Sequence, residues 1–169
     1  MATIPNFSCH PVKTVSGNPP LMLELPEGAS VTAKMGELAR VLNGYVVECG
    51  DDPDDILGFF AEDGHNKAAD GDEKVMVWVA NNDTIFEANI SDGGSNKVLA
   101  QIHLFFNCSL YRDTVAANSR VHVDVGDVTN KLVVIVDMPL DIKRGLIGDT
   151  NARVWFMVLA ARQQLTTAS

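Results

Sequence analysis

The chain has 169 residues, of which 46% are apolar and 21% charged, a composition typical of one globular domain with a sizeable core. Its net charge is −9, which would repel nucleic acid and anionic membrane surfaces, so we expect neither as a partner. No apolar run approaches the ~20 residues needed to cross a bilayer, and the N-terminus lacks the basic start and apolar core of a secretory signal.

The cysteines Cys9, Cys49 and Cys108 are odd in number and widely spaced, and no C-x-x-C pair occurs. This pattern does not match a disulfide framework. We therefore expect reduced thiols in a cytosolic setting.

Residues 1–20 contain four prolines, which remove backbone donors and fix φ, so neither a helix nor a central strand is expected there. We interpret this segment as an extended N-terminal arm. It is either a frayed terminus or an arm that lies along a neighbouring molecule, for which Ile4 and Phe7 would be apolar anchors.

Leu21–Leu25 is predicted to form a short strand that ends at Pro26. The following residues could form a helix with one apolar face, but Gly36 would cost its interior about 1 kcal/mol. Asn43-Gly44 favours a type I′ turn, because both residues tolerate positive φ. We therefore predict a hairpin of Glu37–Leu42 and Tyr45–Cys49.

Two apolar segments dominate the middle of the chain. Val75–Ala80 is an unbroken apolar run, which suits a strand covered on both sides by a second sheet or another subunit. In the next segment, Phe86, Ala88 and Ile90 alternate with polar residues, so one face is expected to be buried and the other to lie in solvent.

The remaining segments follow the same logic of periodicity and turn residues. We predict strands at Ile56–Phe60, Val98–Phe106, Val121–Val125, Leu132–Val136 and Arg153–Ala160, loops at 61–72 and 138–150, an irregular segment at 107–119, and a fraying tail from Gln163. A terminal helix is the weaker alternative for the last strand, because Trp155, Phe156 and Val158 favour a strand.

Nine or ten short strands with frequent turn signals predict an all-β protein. We expect a single-domain β-barrel or sandwich of short antiparallel strands over residues 21–162. The arm at 1–20 would precede it, and a flexible tail at 163–169 would follow.

The polar residues give little support for chemistry. The acidic loop Asp51–Asp55 could attract Ca²⁺ but lacks the order of a calcium loop, so we interpret it as a solvated turn. His122 and Asp124 would share one strand face, where surface positions explain them more simply than a catalytic pair. Because no nucleotide, metal or nucleophile motif occurs, we predict no catalytic residue, no metal site and no cofactor.

The tryptophans Trp78 and Trp155 could stack on sugars. Each lies inside an apolar strand, however, so a place in the core or at a subunit interface is the simpler interpretation.

Four segments resemble the head decoration, or cement, proteins of tailed bacteriophages. They are KMGELARVLNGYVVECGDD, ILGFFAEDGHN, EKVMVWVANNDTIFEANI and GLIGDTNARVWFMVL, and the resemblance covers roughly residues 28 to 160. The segments at 107–119 and 138–150 depart from the pattern of that family.

The resemblance implies a non-enzymatic protein, made in the host cytoplasm and carried on the capsid surface of the virion. Its partners would be the major capsid protein and two further copies in a homotrimer. The residues we assign to capsid or subunit contacts are Ile4, Phe7, Trp78, Trp155 and Phe156. A glycan-binding module of a phage tail or fibre is the alternative, and a small β-barrel enzyme has the least support.

Overall fold

A computed structural model of the protein describes residues 2–50, 53–113 and 120–165. It is an all-β fold, which confirms the predicted class. Two 3₁₀ turns lie at Gln101–His103 and Ala160–Arg162. The strands are β1 His10–Thr14, β2 Met22–Pro26, β3 Leu38–Leu42, β4 Tyr45–Glu48, β5 Gly58–Phe60, β6 Lys74–Val79, β7 Thr84–Asp92, β8 Ser95–Asn96, β9 Asn107–Asp113, β10 Arg120–Asp124, β11 Val133–Asp137 and β12 Arg153–Val158.

The larger sheet closes into a barrel. Its strands pair in the order β7-β10-β9-β11-β12, and β12 pairs again with β7 to complete the ring. β1 and β8 extend β7 outside this ring. The pairings are antiparallel except for β10 with β7, where Val123 lies opposite Ile90 in a parallel register.

The second sheet has five strands in the order β2-β6-β5-β3-β4. Its hairpin of β3 and β4 confirms the prediction made from Asn43-Gly44. Both turn residues have positive φ, 53° for Asn43 and 88° for Gly44, as a type I′ turn requires.

The barrel and the second sheet share one hydrophobic core. The ring of Phe59, from the second sheet, lies 4.6 Å from Phe86 and 6.0 Å from Phe156, both of the barrel. Trp78 of β6 packs against the same core, while Val75 and Val77 belong to a smaller cluster on the other face of their sheet. Both faces of β6 are therefore covered, as its unbroken apolar run predicted.

The prediction for residues 98–113 placed the strand in the wrong part of this segment. The expected strand over 98–106 is a loop with a 3₁₀ turn, in which Ile102 is 76% exposed. The expected irregular segment begins instead with strand β9, and residues 114–119 lie outside the described part. The alternation at 98–106 failed because its backbone bonds to the loop at 148–149 and to β11 rather than to a continuous partner strand.

The polar face of β7 is buried, which contradicts the expectation that it lies in solvent. Glu87 and Asn89 are each 1% exposed. Arg144, Arg153 and Trp155 surround the Glu87 carboxylate, and the N-terminal arm covers Asn89. The Asn89 side chain accepts from the Phe7 amide N at 2.8 Å and donates to the Pro5 carbonyl at 3.2 Å. Ile4 is buried, so the arm packs on its own chain.

The C-terminal segment confirms the predicted last strand and corrects the prediction of a tail that frays from Gln163. Residues Arg153–Val158 form a strand, so the helix alternative was wrong. The tail does not fray from Gln163, whose side chain is fully buried and donates to the Val158 carbonyl at 2.8 Å. Residues 166–169 of the predicted tail lie outside the described residues. Within the described ranges, no helix has the length and apolar character needed to span a membrane.

Candidate interaction surface

Two neighbouring loops, residues 97–106 and 138–150, carry a group of exposed apolar side chains, which we call the apolar loop surface. Each member is at least 40% exposed, and Ile142, at 90%, is the most exposed of them. The members are Val98, Ile102, Phe105, Leu140, Ile142, Leu146 and Ile147.

Backbone hydrogen bonds hold the two loops side by side. The Leu99 amide donates to the Asp149 carbonyl at 2.9 Å, and the Gly148 amide donates to the Leu99 carbonyl at 2.8 Å. The Phe105 amide donates to the Ile135 carbonyl of β11 at 2.8 Å. Phe105 has φ of 60°, a conformation that is strained for a large side chain and is often found at functional segments.

Hydrogen bonds and ion pairs of Asp141 and Arg144 hold the turn that exposes Ile142. The Asp141 carboxylate accepts from the backbone amides of Lys143 and Arg144, each at 2.9 Å. The Arg144 guanidinium donates to Asp141 at 2.7 Å and to Glu87 at 2.6 Å. Ile142 is therefore held in a fixed position relative to the barrel.

Glu87 is the centre of this arrangement. Its carboxylate also accepts from Arg153 at 3.1 Å and from the Trp155 indole N–H at 2.8 Å. Burial alone would raise the pKa of Glu87, but the hydrogen bonds from Trp155, Arg144 and Arg153 outweigh it and hold the pKa below its usual value. The carboxylate is thus charged and fully paired.

The aromatic rings around Glu87 are flanked by cations. The Arg153 guanidinium lies 3.8 Å from the centre of the Phe7 ring, and the Lys13 ammonium lies 4.2 Å from the Trp155 ring. Because Lys13 covers one face of Trp155, that face is not open for stacking on a sugar.

The five residues that we assigned to contacts differ in their exposure to solvent. Ile4 and Phe156 are buried, so neither offers a surface to a partner, and this corrects their assignment. Trp78 and Trp155 are partly buried, and Phe7 is 49% exposed. The apolar loop surface was not predicted from the sequence, although the isoleucines and leucines in the Pro- and Gly-containing loop at 138–150 were a signal for it.

His122 and Asp124 are buried rather than at the surface, and they do not form a pair. Asp124 accepts from the backbone amides of Gly93, Gly126 and Asp127 and so organises two turns. Neither ring nitrogen of His122 has a hydrogen-bond partner among the residues that the structure describes. Burial lowers the pKa of His122, which favours the neutral ring.

The three cysteines are free and buried. Burial raises the pKa of Cys49 and Cys108 to about 12 and that of Cys9 well above its usual value. The thiols are therefore neutral at physiological pH and poor nucleophiles.

A second buried carboxylate anchors the loop at 61–72. Buried Glu27 accepts from the His65 amide at 2.7 Å and contacts His65 Nδ1 at 2.5 Å. Within residues 2–50, 53–113 and 120–165, no group of three or more His, Cys, Asp or Glu side chains has a metal-binding arrangement. Asp51 and Asp52 of the acidic loop lie outside these ranges.

No match to this chain was found among models of known protein families, curated proteins or solved structures.

Proposed function

We propose that this protein is a head decoration protein of a tailed bacteriophage. It binds the outer surface of the expanded head lattice through the apolar loop surface and stabilises that lattice. The observation that carries the proposal is a set of seven exposed apolar side chains on two loops tied to a rigid barrel.

The size of the apolar loop surface supports a protein partner. Its side chains expose roughly the area of four large residues, on the order of 700 Å². This summed area, carried by two loops that backbone hydrogen bonds join, is close to the roughly 800 Å² that each partner contributes to a stable interface. The fixed turn at Ile142 also lowers the entropy lost on binding.

The apolar loop surface carries less net charge than the rest of the molecule. Residues 97–106 and 138–150 contain three cations, Lys97, Lys143 and Arg144, and two anions, Asp141 and Asp149, so with neutral His their net charge is +3 − 2 = +1. The chain as a whole carries −9, so the other residues carry −9 − 1 = −10. Lys97 pairs with Asp92 and Arg144 with Glu87, both outside these segments, so the surface is close to neutral and repels an acidic partner less than the rest of the molecule does.

The sequence resemblance to decoration proteins supplies the identity of the partner. The contribution to the capsid is physical, since a protein that binds only the expanded lattice stabilises it by mass action. If three copies act together, each contact can be weak and the assembly still tight, because the second and third contacts form at high effective concentration.

The test is binding to expanded, undecorated phage capsids. Wild-type protein is expected to occupy regular lattice positions, and Ile142→Asp is expected to weaken binding at least about tenfold, because a buried charge would be left unpaired. Val128→Asp is the matched control, since Val128 is 48% exposed but lies in a different loop.

Two results would contradict the proposal. Wild-type protein that does not bind capsids would remove the decoration function, and binding on a glycan array would then favour the tail or fibre alternative. Equal losses in Ile142→Asp and Val128→Asp would remove the assignment of the apolar loop surface.

A further inference from the structure

A separate concave site lies beside the N-terminal arm. Its volume is about 330 Å³, and it is lined by Phe7, Ser8, Cys9, His10, Met35 and Arg120. This volume is at the lower end of the range for ligand pockets, roughly 300–1,000 Å³. It accommodates one side chain and one small polar group rather than a long segment.

The polar groups of this site are basic. The Arg120 guanidinium donates through Nη1 to the Asn6 carbonyl, and no other hydrogen bond or ion pair of this group is found in the described part of the chain. His10 Nδ1 lies 2.9 Å from the Ser8 carbonyl, which leaves Nε2 without a described partner. The remaining N–H groups of Arg120 suit an anion, on a chain whose net charge is −9. With Nδ1 as the donor to Ser8, the uncharged His10 ring presents Nε2 as an acceptor.

The apolar groups of the site are Phe7 and Met35, which are 49% and 45% exposed. The Arg153 guanidinium lies 3.8 Å from the centre of the Phe7 ring and restrains it through a cation–π contact. Met35 is unbranched and adapts to the shape of a neighbouring side chain.

We propose that this site binds the C-terminal residue of a peptide or protein chain when that residue is apolar. The terminal carboxylate pairs with Arg120, and the attached side chain packs between Phe7 and Met35. A C-terminal residue carries both groups on one Cα, which suits the small volume, whereas an internal Asp or Glu would need a second residue to supply the apolar group. This inference goes beyond the decoration function, because the site shares no residue with the apolar loop surface.

The test uses the peptide acetyl-Gly-Ser-Leu with a free C-terminal carboxylate and the same peptide with a C-terminal amide. Binding is measured by NMR chemical-shift changes on the full-length protein. The acid is expected to bind at least about tenfold more tightly than the amide, because a hydrogen bond to a charged group is lost with the amide.

Two variants examine the two halves of the site. Arg120→Gln is expected to abolish the preference for the acid, and Met35→Trp is expected to weaken both peptides by filling the space beside Phe7. Met35 is exposed, so this second variant is expected to fold even if loss of the Arg120–Asn6 contact disturbs the arm. Lys131→Gln removes one exposed positive charge elsewhere and serves as the matched control.

Three outcomes would overturn the inference. They are equal binding of acid and amide, retention of the acid preference in Arg120→Gln, and equal binding of an amidated peptide that carries an internal Asp. Ile142→Asp is expected to bind the acid as wild type does, so the peptide and capsid experiments can fail independently.

Discussion

Two long loops of this protein are each tied to its body by a buried glutamate. Glu87 holds the loop at 138–150 through Arg144, and Glu27 holds the loop at 61–72 through His65. Both carboxylates are 1% exposed. The partners differ, because an arginine remains charged at every physiological pH whereas a histidine titrates near neutrality.

The loops also differ in what they present. The loop at 138–150 exposes leucines and isoleucines, whereas polar and charged residues prevail in the loop at 61–72. The comparison indicates that a permanent charge fixes the loop whose apolar surface needs a defined shape. The loop without such a surface is held by a contact that depends on pH.

The largest expected effect comes from removing the charge of each glutamate. Glu87→Gln leaves Arg144 and Arg153 without their shared carboxylate, and we expect the free energy of unfolding to fall by about 3 kcal/mol. Glu27→Gln affects only His65, which can become neutral, so we expect about 1 kcal/mol. Denaturant unfolding at pH 7 measures both, and equal losses would show that the two anchors are equivalent.

A smaller effect is expected when the anchor is loosened without changing the apolar loop surface. Arg144→Gln removes the ion pairs to Glu87 and Asp141 but does not replace Ile142 or any other residue of the apolar loop surface. The turn is then more mobile, and we expect capsid affinity to fall by about fivefold through lost preorganisation.

His65→Gln is the matched control for Arg144→Gln, because it loosens the other loop. Capsid affinity is expected to remain that of the wild type in this variant. An unchanged affinity in Arg144→Gln would indicate that the ion pairs at Glu87 do not position Ile142 for binding.

The sequence predicted the elements whose signals are local. Asn43-Gly44 fixed one hairpin through the φ preferences of two residues, and the unbroken run at Val75–Ala80 indicated a strand covered on both sides. Such signals depend only on near neighbours in the chain, and both features are present in the fold.

The remaining features depend on contacts between distant residues. The alternation at 86–90 predicted a solvated polar face, but Asn89 instead binds the arm more than 80 residues away in the chain. The apolar loop surface arises because residues 98–106 bond to residues 148–149. Period-two patterning identifies apolar positions but not what covers them. The sequence therefore showed the apolar residues at 138–150, but not that residues 98–106 lie beside them or that the arm covers Asn89.

The smallest expected effect is the pH dependence of the His65 anchor. The hydrogen bond to Glu27 is the main cause that raises the pKa of His65, and the nearby charges of Glu27, Glu62 and Glu73 act in the same direction. A raised pKa in the folded state stabilises the protein fully below the unfolded pKa of about 6.5, and this contribution is lost as pH rises through the folded pKa. The difference in unfolding free energy between wild type and His65→Gln is therefore expected to shrink from pH 6 to pH 9. This pH-dependent change is expected to be small, since the side chain is 35% exposed and solvent screens the pair.

The corresponding difference for Arg144→Gln should stay constant over this range, because arginine does not titrate there. The lowered pKa of buried His122 acts in the opposite direction, destabilising the fold as pH falls below about 6.5. It is common to wild type and both variants, so it cancels in each difference, and parallel pH profiles for the two variants would contradict the distinction between the anchors.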